Sequence, residues 1–171
     1  LTDMFAPWIS IHTGTVISGS FDPSLKLVNL NGRSPMIVVN GFALRNWSLL
    51  GNSADKQLNV RMECSQIDGV ADAPAETAIK KVEQFKLSAV VSNDIVRFGL
   101  GWNDLQTEDH NKSEISGSLS FKQNPRLLFA LDKAEILIND TLWSAIPGNQ
   151  LVFDTSGFEA HNFGFSNNNR Q

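Results

Sequence analysis

The chain has 171 residues, with 14 Lys and Arg against 18 Asp and Glu and a net charge of −4. At 42% hydrophobic and 19% charged, it holds enough apolar material to bury a core in one domain or in one section of a longer repetitive structure. The charge balance excludes nonspecific nucleic-acid binding, which needs many cationic contacts to phosphate, and it offers no polybasic patch for an anionic lipid surface.

From the N-terminus, the first element is a short strand, Ile17-Ser18-Gly19-Ser20-Phe21. Met36-Ile37-Val38-Val39 is the one continuous apolar run close to a strand covered on both faces. Gly41-Phe42-Ala43-Leu44-Arg45-Asn46-Trp47-Ser48-Leu49 reads as a strand that ends in Asn-aromatic. Leu58, Val60, Met62 and Cys64 then alternate with Asn59, Arg61 and Glu63, the mark of a strand apolar on one side. Cys64 is the single cysteine, so no intrachain disulfide is possible, and it reads as a small buried apolar residue.

Asp68 to Ala75 reads as a long loop. Ala75, Ala78, Ile79 and Val82 have helical spacing, so residues 75–85 are expected to form a short helix or an ordered loop. Phe85 also opens a strand with Leu87, Ala89 and Val91. Val96, Phe98, Leu100 and Trp102 make the strongest alternating run, against Arg97, Gly99 and Gly101. A second polar loop runs from Asp104 to Lys112. Ile115, Leu119 and Phe121, with Gly117 between them, oppose Ser116, Ser118 and Ser120. Leu127, Phe129 and Leu131, then Ile136 and Ile138, Leu151 and Phe153, and Phe163 and Phe165 complete the set. Asn31-Gly32, Asn40-Gly41, Gly51-Asn52, Asn93-Asp94, Asn139-Asp140 and Pro147-Gly148-Asn149 read as turns, because Gly, Asn and Asp tolerate left-handed backbone angles.

A pattern occurs twice. Ile17-Ser18-Gly19-Ser20-Phe21 followed by Gly41-Phe42 and Asn46-Trp47 matches Ile115-Ser116-Gly117-Ser118-Leu119 followed by Gly157-Phe158 and Asn162-Phe163. Residues 1–171 therefore read as a single β-rich segment with two related strand units, about 15–52 and 113–167. Stacked or laddered strands of this kind work through a long surface rather than a point of catalysis. The start at Leu1 and the end at Gln171 both read as cut, so the chain is expected to be a segment of a longer protein.

Chemistry-bearing motifs are absent from the sequence. His12, His110 and His161 are far apart with no metal-ligand spacing. Glu108-Asp109-His110 lies in a polar stretch with no nucleophile motif beside it, and no Gly-x-Ser-x-Gly or Gly-x-Gly-x-x-Gly occurs. No metal, cofactor or enzymatic activity is expected. The Asn-x-Ser/Thr sites at Asn46, Asn111 and Asn139 are at the frequency of chance. Eleven Phe and four Trp without a Tyr point away from a carbohydrate-binding platform, which favours aromatics with a polar tip. They suit either a dry core, as in a closed β-sandwich, or apolar faces left partly open as a groove for an acyl chain.

The run Ile115-Ser116-Gly117-Ser118-Leu119-Ser120-Phe121, then Ala134-Glu135-Ile136-Leu137-Ile138-Asn139-Asp140-Thr141-Leu142-Trp143, Ile146-Pro147-Gly148-Asn149, Leu151-Val152-Phe153-Asp154 and Gly157 to Phe163, resembles the C-terminal region of the TamB (translocation and assembly module) family of the AsmA-like superfamily, in its Bacteroidetes-type members. Phe98-Gly99-Leu100-Gly101-Trp102-Asn103 is similar to the family's strand before a Gly-containing repeat. The resemblance is best from Val82 to Gln171 and rests on structural motifs. It implies an all-β fold, an elongated curved sheet like a β-taco or β-helix, built of laddered amphipathic strands with an apolar inner face. It implies a periplasmic location in a Gram-negative bacterium, with the full-length protein anchored in the inner membrane. It implies phospholipid transport, outer-membrane biogenesis and an Omp85-type barrel partner, and it carries no catalytic residues. On this reading Phe85, Leu87, Val96, Phe98, Leu100, Trp102, Leu119 and Phe121 are expected to line the acyl-chain groove. The competing expectations are a module that binds β-strands of outer-membrane proteins through its edges, and a carbohydrate-binding sandwich.

Overall fold

The structure, a computed structural model, describes residues 8–69, 81–104, 111–122, 126–138 and 141–167. These residues form strands and no helix. The strands are β1 (Ile9–Ile11), β2 (Val16–Asp22), β3 (Leu27–Val39), β4 (Phe42–Ala54), β5 (Gln57–Gly69), β6 (Val82–Ser92) and β7 (Ile95–Asp104). They continue as β8 (Asn111–Lys122), β9 (Arg126–Ile138), β10 (Thr141–Ala145), β11 (Gln150–Asp154), β12 (Gly157–His161) and β13 (Phe165–Ser166). All thirteen belong to one sheet, and every pairing is antiparallel. From β3 to β9 each strand pairs with its neighbours in sequence, a meander. Among the described residues no pairing joins the first edge to the last, so the sheet stays open. The closed β-sandwich is not formed by the described residues, since a sandwich needs a second sheet and all their strands lie in one.

The outer ranks are broken strands. β1 and β2 lie along the same edge of β3, and β10 and β11 share the edge of β9. At the second break Asn149, 4% exposed, stands in for the missing strand. Its Oδ1 accepts from Leu131 N at 2.9 Å, and its Nδ2 donates to Leu131 O and Ile146 O. One side chain thus satisfies both backbone groups of Leu131.

The first break starts a line of irregularity that crosses the sheet. Pro35, with no N–H to give, sits beside the gap between β1 and β2, where Gly14 lies against its ring. The flanking pairs place Pro35 opposite Asn46, Asn46 opposite Ser65, and Ser65 opposite Gln84. Asn46 and Gln84 have left-handed φ of 49° and 50°, and a bulge between Glu83 and Lys86 adjoins the last. Asn46 Nδ2 donates to Ser65 Oγ, and Asn103 Nδ2 donates to Gln84 Oε1. Short polar side chains thereby hold the line together where the regular ladder fails.

Several expectations need correction. Val82 to Phe85 belong to strand β6 rather than to a helix, and Lys81 before them is in neither; the rest of the expected helical stretch, 75–80, lies outside the described residues. Asp68, Asp104, Asn111 and Lys112 belong to strands rather than to loops. Asn31-Gly32 and Gly51-Asn52 are not turns but lie within β3 and β4, because their glycines answer to packing rather than to a reversal of the chain. Turns do form at Asn40-Gly41 and Asn93-Asp94, whose residues have left-handed φ. Asp55-Lys56 makes a further turn of the same kind. The Asn139-Asp140 turn and the Glu108-Asp109-His110 stretch lie outside the described residues.

The two matched segments have the same sign of φ at their marked positions but not the same surroundings, since Gly41 lies in a turn and Gly157 in β12, and Asn46 lies in β4 and Asn162 at a bend. Gly41 and Gly157 both have positive φ, 79° and 144°, and Asn46 and Asn162 have φ of 49° and 48°. Three strands carry the first segment from β2 to β4, while the second passes through one more rank from β8 to β12.

Candidate functional site: an uncovered apolar face

Paired residues in antiparallel strands share a face, so the register sorts the side chains. One row reads Ile17, Gly32, Leu49, Met62, Leu87, Leu100, Ile115 and Ala134 from β2 to β9. The next on the same face reads Gly19, Leu30, Gly51, Val60, Ala89, Phe98, Gly117 and Leu131. A third carries Leu58, Val91, Val96, Leu119, Phe129 and Leu151 from β5 to β11. The intervening rows belong to the other face and are polar, for example Ser20, Asn29, Asn52, Asn59, Val90, Arg97 and Ser118.

All eight expected groove residues fall on the apolar face. Leu87 pairs with Leu100 and Val96 with Leu119, while Phe98 faces Gly117. Phe85 faces Cys64, Trp102 faces Ser113, and Phe121 faces Leu127. None of the eight is buried, and Phe121 is 53% exposed. Among the described residues the buried hydrophobics are only Ile37, Ala43, Cys64, Ala134 and Val152. A face sealed by a second layer would bury its large side chains and not mainly its small ones.

Large residues cover small ones along this face. The Trp47 ring lies over Gly32, where a Cβ would meet its Cζ3 at 2.7 Å. Phe98 reaches across Gly117 and stacks on Phe129, with centroids 5.8 Å apart and planes at 15°. Phe163 continues the line, 6.2 Å from Phe129. Trp47, Leu49, Met62, Phe129 and Phe163 thus belong to the surface that holds the eight. Met62, Phe129 and Phe163 stand in alternating runs of the sequence; for Trp47 and Leu49 the signal is the alternation of Trp47, Leu49 and Gly51, weakened because a glycine reads as a turn.

The face has distinct ends. Toward the irregular line it meets a polar row, Arg45, Gln66, Glu83 and Asn103, with Arg45 bonded to Asp68 at 3.0 Å. Toward the hairpins it opens into a cleft of about 720 Å³, lined by Leu25, Leu27, Val28, Leu58 and Val91 with Lys26 and Lys56. The polar face has shallower furrows. One of about 390 Å³ passes over Gly99 and Gly101 between Lys86, Ser88, Glu114 and Ser116, and another of about 560 Å³ is walled by Ser18, Ser20, Asn29, Asn31 and Asn52.

Among the described residues the titratable groups form no reactive constellation. Burial pushes the Cys64 thiol up to about 11, the direction opposite to a reactive thiolate. Exposed Lys133 hydrogen-bonds Glu114 and Glu135, which raises its pKa. Asp154 is held below the usual carboxylate range by the Ser156 hydroxyl and amide. His161 is exposed, 3.3 Å from Glu159. Among the described residues no group of three or more His, Cys, Asp or Glu is placed to hold a metal.

No protein-family model, curated protein or solved structure matches the chain.

Proposed function

We propose that this chain is a non-enzymatic segment of an envelope lipid-transfer and assembly protein, whose apolar sheet face shelters phospholipid acyl chains between the inner and outer membranes. The observation that supports the reading is the apolar face: contiguous apolar rows across one open sheet, with no second layer over them among the described residues. Each methylene withdrawn from water contributes about 0.8 kcal/mol, so a long chain is held without any specific polar contact. A row of similar apolar positions also lets the chain slide, since no single site holds it much better than the next. The periplasmic location, the support of outer-membrane protein assembly and the Omp85-type partner come with this reading from the sequence resemblance alone.

The test is photocrosslinking in living cells, with a photoreactive residue at Phe98 and a control at Arg97 on the other face. Phospholipid adducts at Phe98 and none at Arg97 are expected. Adducts to protein alone at both positions would sink the proposal, because they would mean that other protein covers the face.

A further inference from the structure

We infer that two copies of this chain join edge to edge through β2, antiparallel about Gly19, into one continuous sheet. Among the described residues β2 pairs with β3 on one side and with no strand on the other. All seven of its residues are exposed. An open edge of this length is a template for another strand, and soluble proteins blunt such edges with charge, proline, bulges or shortness. β2 has none of these between Val16 and Phe21, and its register with β3 runs unbroken. The other end of the sheet is blunted. β12 carries Glu159 and His161, β13 is two residues long, and Asn162 with φ 48° breaks the chain between them. The contact is therefore isologous, the same edge on both copies, rather than head to tail.

The sequence of the strand names its occupant. A two-fold axis at Gly19 sets Ile17 of one copy opposite Phe21 of the other, and Ser18 opposite Ser20. Ile17 and Phe21 point to the apolar face, where they are 58% and 67% exposed, and the serines point to the polar face. From Ile17 to Phe21 apolar meets apolar and hydroxyl meets hydroxyl, both favourable cross-strand pairings, and only at the strand ends does Asp22 stand opposite Val16. A slip of one residue would bring the apolar face of one copy level with the polar face of the other. A slip of two leaves Ile17 opposite Gly19. The chemistry of the strand thus selects one register, which also makes the two apolar faces continuous.

The inference stands apart from the acyl-chain proposal. It is tested by sedimentation equilibrium on the full chain, with circular dichroism to confirm that each variant folds. The parent chain is expected to dimerise. Ser18→Lys with Ser20→Lys sets lysine opposite lysine twice on the exposed polar face, and should weaken the dimer about tenfold or more. Ser18→Lys with Ser20→Glu sets lysine opposite glutamate in this register alone, and should restore it. A parent chain monomeric at every concentration would overturn the inference. So would a double-lysine variant that dimerises as well as the parent, or a Lys/Glu variant as weak as the double lysine.

Discussion

At the residue scale, the glycines separate packing from conformation. A Cβ on Gly117 would lie 2.3 Å from Ala130 O, 3.0 Å from the Phe98 ring and 3.2 Å from Leu131 Cα. Two of these neighbours are backbone and cannot move aside. Gly117→Ala is expected to destabilise the fold by about 2–3 kcal/mol, in the range of core overpacking. Gly101 faces nothing nearer than Ser113 O at 3.9 Å, so Gly101→Ala should be neutral or stabilise by about 0.4–1 kcal/mol through the unfolded chain. Urea midpoints compare the two, and equal shifts would show that the β9 backbone gives way. Cys64 offers a pH test. The folded thiol keeps its proton to about 11 against an ordinary value of 9.0. Between these values the unfolded state binds fewer protons, so stability is whole below pH 9 and falls as pH rises toward 11. Cys64→Ala should remove that fall, which has a slope of at most about 1.4 kcal/mol per pH unit. An unchanged slope in urea titrations at pH 8 to 11 would assign it to other groups.

At the element scale, the strands were legible where alternation is uninterrupted. The runs at 58–64, 85–91, 96–102 and 115–121 all lie within strands of the sheet, and so do all eight groove candidates. What the sequence hid was irregularity. The apolar positions of β9 change parity, from Leu127, Phe129 and Leu131 to Ala134 and Ile136, as though one strand had two faces. A bulge explains it: Gly117 pairs with Leu131 and Ser116 with Lys133, which leaves Asp132 as the extra residue. Both apolar sets then meet the same rows of β8. A similar change of parity occurs in β3 to β6, where Ile37, Leu44, Ile67 and Val82 form one register row. They alternate out of step with Trp47, Cys64 and Phe85 across the Pro35–Asn46–Ser65–Gln84 line. Periodicity within one strand cannot reveal such a line, because it is defined by which residues of neighbouring strands stand opposite one another. The glycines misled for a related reason: Gly32 and Gly51 are small because Trp47 and Leu30 lie over them, a fact of the neighbouring strand.

At the scale of the whole molecule, an open meander is close to one-dimensional. Among the described residues each central strand is held by its two neighbours in sequence and by no second layer, so stability approximates a sum over adjacent ranks. β5, β6 and β7 are paired along most of their length on both sides. β2 and β12 are paired on one side only. Amide exchange should therefore be slowest in β5 to β7 and quicken toward β2 and β12. Low denaturant should open the end ranks before the centre, because local opening draws on local contacts. Protection that is uniform from β2 to β12 would contradict an open sheet and imply a covering layer. The same measurement separates the two edges. If β2 is a dimer interface, its protection rises with protein concentration while that of β12 stays constant. Acyl chains on the apolar face would instead slow exchange in the central strands at every concentration, since a lipid buries the middle of the sheet and not its edge.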